Sequence, residues 1–232
     1  MIKLALILNF LITSSLTTFT EQADTFLSDH VSDGKVDYAG IAQSRSQIDK
    51  LYKKIGQMSL NGASDAEQKA FYINAYNIIT IHQIAEHYPV KSPMDVDGFF
   101  DQQKHAVAGE QLTLNELEKK KLLEPYQDPR LHFVLVCAAV SCPPLADFAY
   151  RADKLNEQLD EKTRQALNSD SFVRLKKDQK KVELSKIFEW YQDDFTRNQT
   201  SPIAYVNRYR DQKIPASYQV SHYEYDWSLN KQ

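Results

Sequence analysis

Between Ser64 and Pro89 lies a stretch that has to become a buried helix, and the rest of the chain must be arranged around it. Ser64 is a good N-cap and Glu67 follows three residues on, so Ser64-Asp65-Ala66-Glu67 predicts a capping box. Pro89 predicts the stop, near His87. Between these ends Ala70, Phe71, Ile73, Ile78, Ile79, Ile81 and Ile84 almost encircle the helix. A helix that is apolar on all sides belongs inside a core. A chain of 232 residues has material for one core around it, with at most a small appendage.

The flanks supply helices first and strands late. Phe26–Val31 reads as a short helix that ends at the Asp33-Gly34 turn, and Lys35–Tyr38 as a brief extended piece. Apolar residues at helical spacing predict a helix over Ile41–Met58. Residues 90–111 are loop-rich, and a short helix over Leu112–Leu123 is expected, capped by Thr113 or Asn115. Leu131–Cys137, LHFVLVC, reads as a buried strand. Ala152–Asn168 is an amphipathic helix, Phe172–Leu175 and Lys181–Leu184 are two strands around a charged turn, and Ser185–Phe195 is helical. The tail from Pro202, with five Tyr and Trp227, is expected as ordered coil or short strands. This order predicts an α+β fold, a central buried helix packed with further helices against a small antiparallel sheet.

The first twenty residues differ from the remainder. A positive start at Lys3, an apolar run over Leu4–Ile12 and small polar residues after Thr13 follow the order of a secretory signal peptide. The run is about half the ~20 residues a spanning helix needs. The expected organisation is a signal over 1–20, cleaved between Ser15 and Ala23, and one domain over 21–232. The mature protein would be periplasmic or secreted, with no integral membrane segment. Net charge of −3 and a pI near 6.1 exclude a basic nucleic-acid footprint. Two Cys exclude a disulfide-framework scaffold. Six Gly, none beyond Gly109, form no phosphate-cradling loop.

The residues best suited to chemistry lie in Leu131–Leu145, LHFVLVCAAVSCPPL. A thiolate nucleophile needs a base within hydrogen-bond reach, usually His, and a third group to orient that base. Side chains alternate along a strand, so Cys137 would point away from His132, and the following turn would bring Cys142 back beside it. Cys142 is then the better nucleophile, with Cys137 as the second candidate. Two other readings stand beside this one. Five residues can turn within the ~4.4–6.8 Å Cα separation of a Cys137–Cys142 disulfide, and both thiols could equally be inert. The central helix adds Tyr72, Asn74, Asn77 and His82. Asn74 and Asn77 face the same way, and buried amides must find partners. They either hold loop backbone against the helix or serve a site, Asn74 orienting the His and Asn77 with Tyr72 lining a substrate cleft. Metal binding is not expected, because His82 and His87 do not share a helix face and zinc spacings are missing. The acidic pair Asp193-Asp194, at a helix end, calls for a partner such as Arg197. No cofactor is implied.

Four stretches make the chain resemble a known family. They are DGKVDYAGI (Asp33–Ile41), AFYINAYNIITIH (Ala70–His82), DPRLHFVLVCAAVSCPPL (Asp128–Leu145) and LSKIFEWYQDDF (Leu184–Phe195). They are similar to the domain of unknown function 547 family of bacterial and plant proteins. The resemblance implies that the Asn-rich helix and the His-to-Cys segment are signature features. In residue types such proteins are similar to papain-like or transglutaminase-like thiol enzymes, which would make Cys142 nucleophile, His132 base and Glu118 or Asn74 the orienting group. Two departures stand out. Lys119-Lys120 follow Glu118 where the family often has His-Gly, and Cys137-Ala138-Ala139 replaces Cys-Gly-Ala, which makes a left-handed turn at 138 harder. The expected function is an exported thiol hydrolase or acyl-transferase acting on peptide or amide bonds. The alternatives are an envelope module that binds a peptide or protein ligand and keeps a structural Cys137–Cys142 disulfide, and a metal-dependent hydrolase in which His ligands converge.

Overall fold

In the computed structural model, which describes residues 2–197 and 201–232 (residues 2–14 by their backbone alone), the capping box at Ser64 is formed. Glu67 Oε2 accepts from the Ser64 amide at 2.8 Å, and Ser64 accepts in turn from the Glu67 amide. The helix it starts, α4 (Asp65–His87), is buried at every residue from Lys69 to Ala85. Such a helix needs packing on all sides. It receives it from α1 (Ile2–His30), α2 (Tyr38–Gln43), α3 (Ser46–Gln57) and the helical stretch that follows Thr113. The helix expected over Ile41–Met58 is two helices. Asp37 caps α2 by accepting from the Gly40 amide at 2.9 Å, and the chain breaks at Ser44 before α3 begins.

Helix α1 bears on the N-terminal boundary. Leu16, Phe19, Ala23, Phe26 and Leu27 are buried in the main core, and Phe19 packs on Phe71 with ring centroids 5.4 Å apart. The helix runs through residue 20, with packed side chains back to Leu16. The apolar run Leu4–Ile12 carries no described side chains. Among the described residues, no helix is long and apolar enough to cross a membrane. After α1 a hairpin pairs β1 (Val31–Ser32) with β2 (Lys35–Val36). Asp33 and Gly34 are both left-handed, with φ of 51° and 77°, as a two-residue hairpin turn requires. A Cβ on Gly34 would stand 2.5 Å from that of Pro144, so this turn seats directly on the turn after Cys142.

The short antiparallel pair β3 (His105–Val107) and β4 (Glu110–Leu112) leads into α5 (Leu114–Glu116), a π-helical segment Leu117–Leu123, and α6 (Glu124–Tyr126). Thr113 is the cap, in a second capping box with Glu116. Next comes the main departure from the sequence reading. The run Leu131–Cys137 is buried but is not a strand: Pro129–Phe133 is a 3-10 turn, and the residues after it are irregular. A buried backbone still needs partners. Asn77 supplies them, its amide donating to the Val134 carbonyl at 2.9 Å and accepting from the Val136 amide at 3.0 Å. Asn74 treats Tyr150 the same way, with both bonds at 2.8 Å.

A second, smaller core gathers Phe133, the end of α7 (Leu155–Asn168), the strands β5 (Val173–Lys176) and β6 (Lys181–Leu184), and Phe188, Phe195 and Val206. β5 and β6 pair antiparallel, as the sequence predicts, and β7 (Gln219–His222) adds to β6 in parallel. The helix expected over Ser185–Phe195 is broken at Tyr191 into α8 (Ile187–Trp190) and α9 (Gln192–Thr196). The tail is more ordered than expected. Ser201 caps a helix, α10 (Pro202–Tyr209), with Pro202 in the first turn, where its missing N–H is harmless. The last residues then run back into the first core. Val140 donates to the Ser228 carbonyl at 2.8 Å, Asn230 to Ala138 at 2.9 Å and Gln232 to Val36 at 3.1 Å. The architecture is α+β, helical around α4 with small sheets at its edges.

Candidate functional site

The two cores meet along a seam, and a cavity of about 280 Å³ opens there. Tyr76, Leu135 and Cys142 come from the first core, Ile187 from the second, and Tyr225 packs against both. Seams between packed bodies are common places for ligands. His132, Glu118, Cys137 and Cys142, all singled out by the sequence, line this one cavity.

Glu118 arrives on the π-helical segment, a geometry that is rare and is often found at functional sites. It is buried, and the Tyr191 hydroxyl donates to its Oε1 at 2.7 Å. Tyr76, from α4, also hydrogen-bonds Glu118. Burial pushes the Tyr76 and Tyr191 phenols up, and the neighbouring Glu118 raises both further. They stay protonated and act as donors.

His132 sits on the 3-10 turn with its ring against Tyr191, centroids 4.1 Å apart, and against Phe195 at 5.2 Å. Its Nε2 lies 2.8 Å from Asp194 Oδ2. Arg197 donates to the other oxygen of Asp194 at 2.6 Å. The His132 hydrogen bond lowers the Asp194 carboxyl below its ordinary value against the opposing effect of burial, and Arg197 adds to the lowering. Asp194 is thus the group that orients His132, in the place expected for Glu118 or Asn74. Asn74 is committed to Tyr150, and Asn77 to the loop after His132. Neither they nor Tyr72 line the cavity. His82 is elsewhere again, stacked on Tyr52 at 4.0 Å and facing Asp49.

Cys137 and Cys142 are joined as a disulfide, with Cα atoms 6.3 Å apart. The Tyr225 hydroxyl reaches both sulfurs, at 3.3 Å from Cys137 and 3.2 Å from Cys142. The loop closes through Ala138, which is left-handed with φ of 64°. The left-handed region costs a residue with a Cβ about 1–2 kcal/mol. Ala138→Gly is accordingly expected to stabilise the protein by about 1 kcal/mol, after the extra freedom glycine has when unfolded. Urea unfolding measures it, and an unchanged or lower midpoint would mean that the alanine carries no strain.

Beside the disulfide stands an aromatic wall. Trp190 and Tyr225 have ring centroids 4.9 Å apart, Tyr225 and Trp227 4.7 Å, and Phe100 and Trp227 6.2 Å. Sequence reasoning read Tyr225 and Trp227 only as part of an ordered tail. Asp194 was read only against Arg197, and its bond to His132 spans 62 positions with no local signal. Among the described residues, no group of His, Cys, Asp and Glu could hold a metal ion.

No curated protein and no solved structure matches the chain. Residues 60–166 match the family described as "Protein of unknown function, DUF547". That span holds Tyr76, Glu118, His132 and the disulfide, while Trp190, Tyr191, Asp194, Tyr225 and Trp227 lie beyond it. Over residues 60–166, a little under half of its length, the chain is similar to the DUF547 family of proteins of unknown function.

Proposed function

We propose that this protein is an exported, non-enzymatic binding module whose peptide or protein ligand places a group in the cavity at the seam. The observation that supports it is the Cys137–Cys142 disulfide on the cavity lining. A sulfur held in a disulfide has no proton to give to His132 and no thiolate to attack with. Export to the periplasm or beyond suits the same bond, since disulfides persist in oxidising compartments. The basic and apolar first residues support it as well.

The test is to alkylate native protein, purified without reductant, and to map both cysteines by mass spectrometry. Neither is expected to be labelled, and a linked peptide pair is expected in the digest. A Cys142 labelled faster than a model thiol at neutral pH would overturn the reading. The His132–Asp194 pair favours a second reading, a thiol hydrolase that works once a dithiol has reduced the disulfide. In that case the reduced protein should cleave amide or ester substrates, and His132→Ala should not.

A further inference from the structure

We propose that the group received by this cavity is an organic cation, an alkylammonium head that pairs with Glu118 and lies over the aromatic wall. The proposal rests on the binding-module reading and names the chemistry of its ligand.

Glu118 carries the argument. It is only 9% exposed, yet the partners that reach it are the hydroxyls of Tyr191 and Tyr76. Among the described residues no lysine or arginine lines the cavity, and Glu118 makes no ion pair. A buried carboxylate without an opposite charge is expensive, and two neutral donors meet only part of its demand. His132, on the same lining, is already engaged by Asp194. The cavity therefore offers one carboxyl group without a cationic partner.

The wall offers the second half of a cation site. Trp190, Tyr225 and Trp227 form one contiguous cluster, with the two indoles 6.0 Å apart, and Trp190 is 48% exposed, so its ring is open to an arriving ligand. The faces of such rings attract ammonium groups, tryptophan most strongly. An anion would meet Glu118 as a like charge. A neutral apolar group would cover the carboxylate and leave it without a partner. A cation satisfies both surfaces at once.

The chain has two tryptophans, and both line the cavity, so intrinsic fluorescence reads this site directly. The probes are choline and its uncharged carbon isostere 3,3-dimethylbutan-1-ol, titrated into the full, oxidised protein at fixed ionic strength. Choline should change the emission saturably and bind at least about tenfold more tightly than the alcohol. Glu118→Gln keeps the side chain's size and an acceptor for Tyr191. It should weaken choline about tenfold and leave the alcohol unchanged, with a thermal midpoint no lower than that of the parent. Trp227→Leu, which keeps the carboxylate, should weaken choline about threefold or more. Equal binding of both probes, unaffected by Glu118→Gln, would overturn the cation while leaving a binding cavity. If neither probe moves the emission, the cation proposal falls, and a binding role for the cavity falls with it for groups of this size. Rapid labelling of Cys142 would sink the module reading separately, whatever the probes do.

Discussion

Asn77→Ala is expected to destabilise the protein by about 4 kcal/mol, although Asn77 touches no part of the cavity. Its amide is the partner of the Val134 carbonyl and the Val136 amide, in a segment that is buried and has no strand beside it. Each backbone group left buried and unsatisfied costs about 1–3 kcal/mol, and the space vacated by the amide adds to that. The better helix propensity of alanine returns only about 0.6 kcal/mol. Urea unfolding at an unchanged slope would report the loss as a lower midpoint. A loss under about 1 kcal/mol would mean that water replaces the amide and that the loop does not depend on it.

The second large effect concerns where the folded body begins. A chain starting at Ser15 should be as stable as the full chain, and one starting at Glu21 should lose about 5 kcal/mol or more. The shorter form lacks Leu16 and Phe19, which are 6% and 0% exposed. Deleting a buried Phe side chain alone costs about 3–5 kcal/mol. Domains hold only about 5–15 kcal/mol in total, so the shorter form is expected to unfold at far lower denaturant or to fail to fold at physiological temperature. Equal midpoints for the two chains would show that α1 contributes little before Ala23.

The contrast between α4 and the His132 segment shows what a sequence can carry. The position of α4 was legible because its signals are local: a cap at Ser64, a stop at Pro89, and apolar residues all round. The β5–β6 hairpin was legible for the same reason. Leu131–Cys137 is just as apolar, but burial does not define a strand; a neighbouring strand does, and here an Asn side chain takes that place. The cavity was half legible. His132 and the two Cys stand out by residue type, and Glu118 came from the family resemblance. Asp194, Trp190, Tyr225 and Trp227 did not, because each is brought in by packing across the seam. Cysteine spacing alone left disulfide and nucleophile open, and the way the loop closes through a left-handed Ala138 is a property of the folded backbone.

The return of the tail to the first core fixes when the cavity can come into being. Tyr225 and Trp227 lie within the last eight residues of the chain. Lys231 pairs with Val36, so this contact joins nearly the two ends of the sequence. Contacts that distant are closed late. The wall that carries Tyr225 and Trp227 is therefore among the last parts of the cavity to form, after the local contacts of α4 and of the β5–β6 hairpin. Until this long-range return closes, the two sulfurs lack the Tyr225 hydroxyl that reaches both of them.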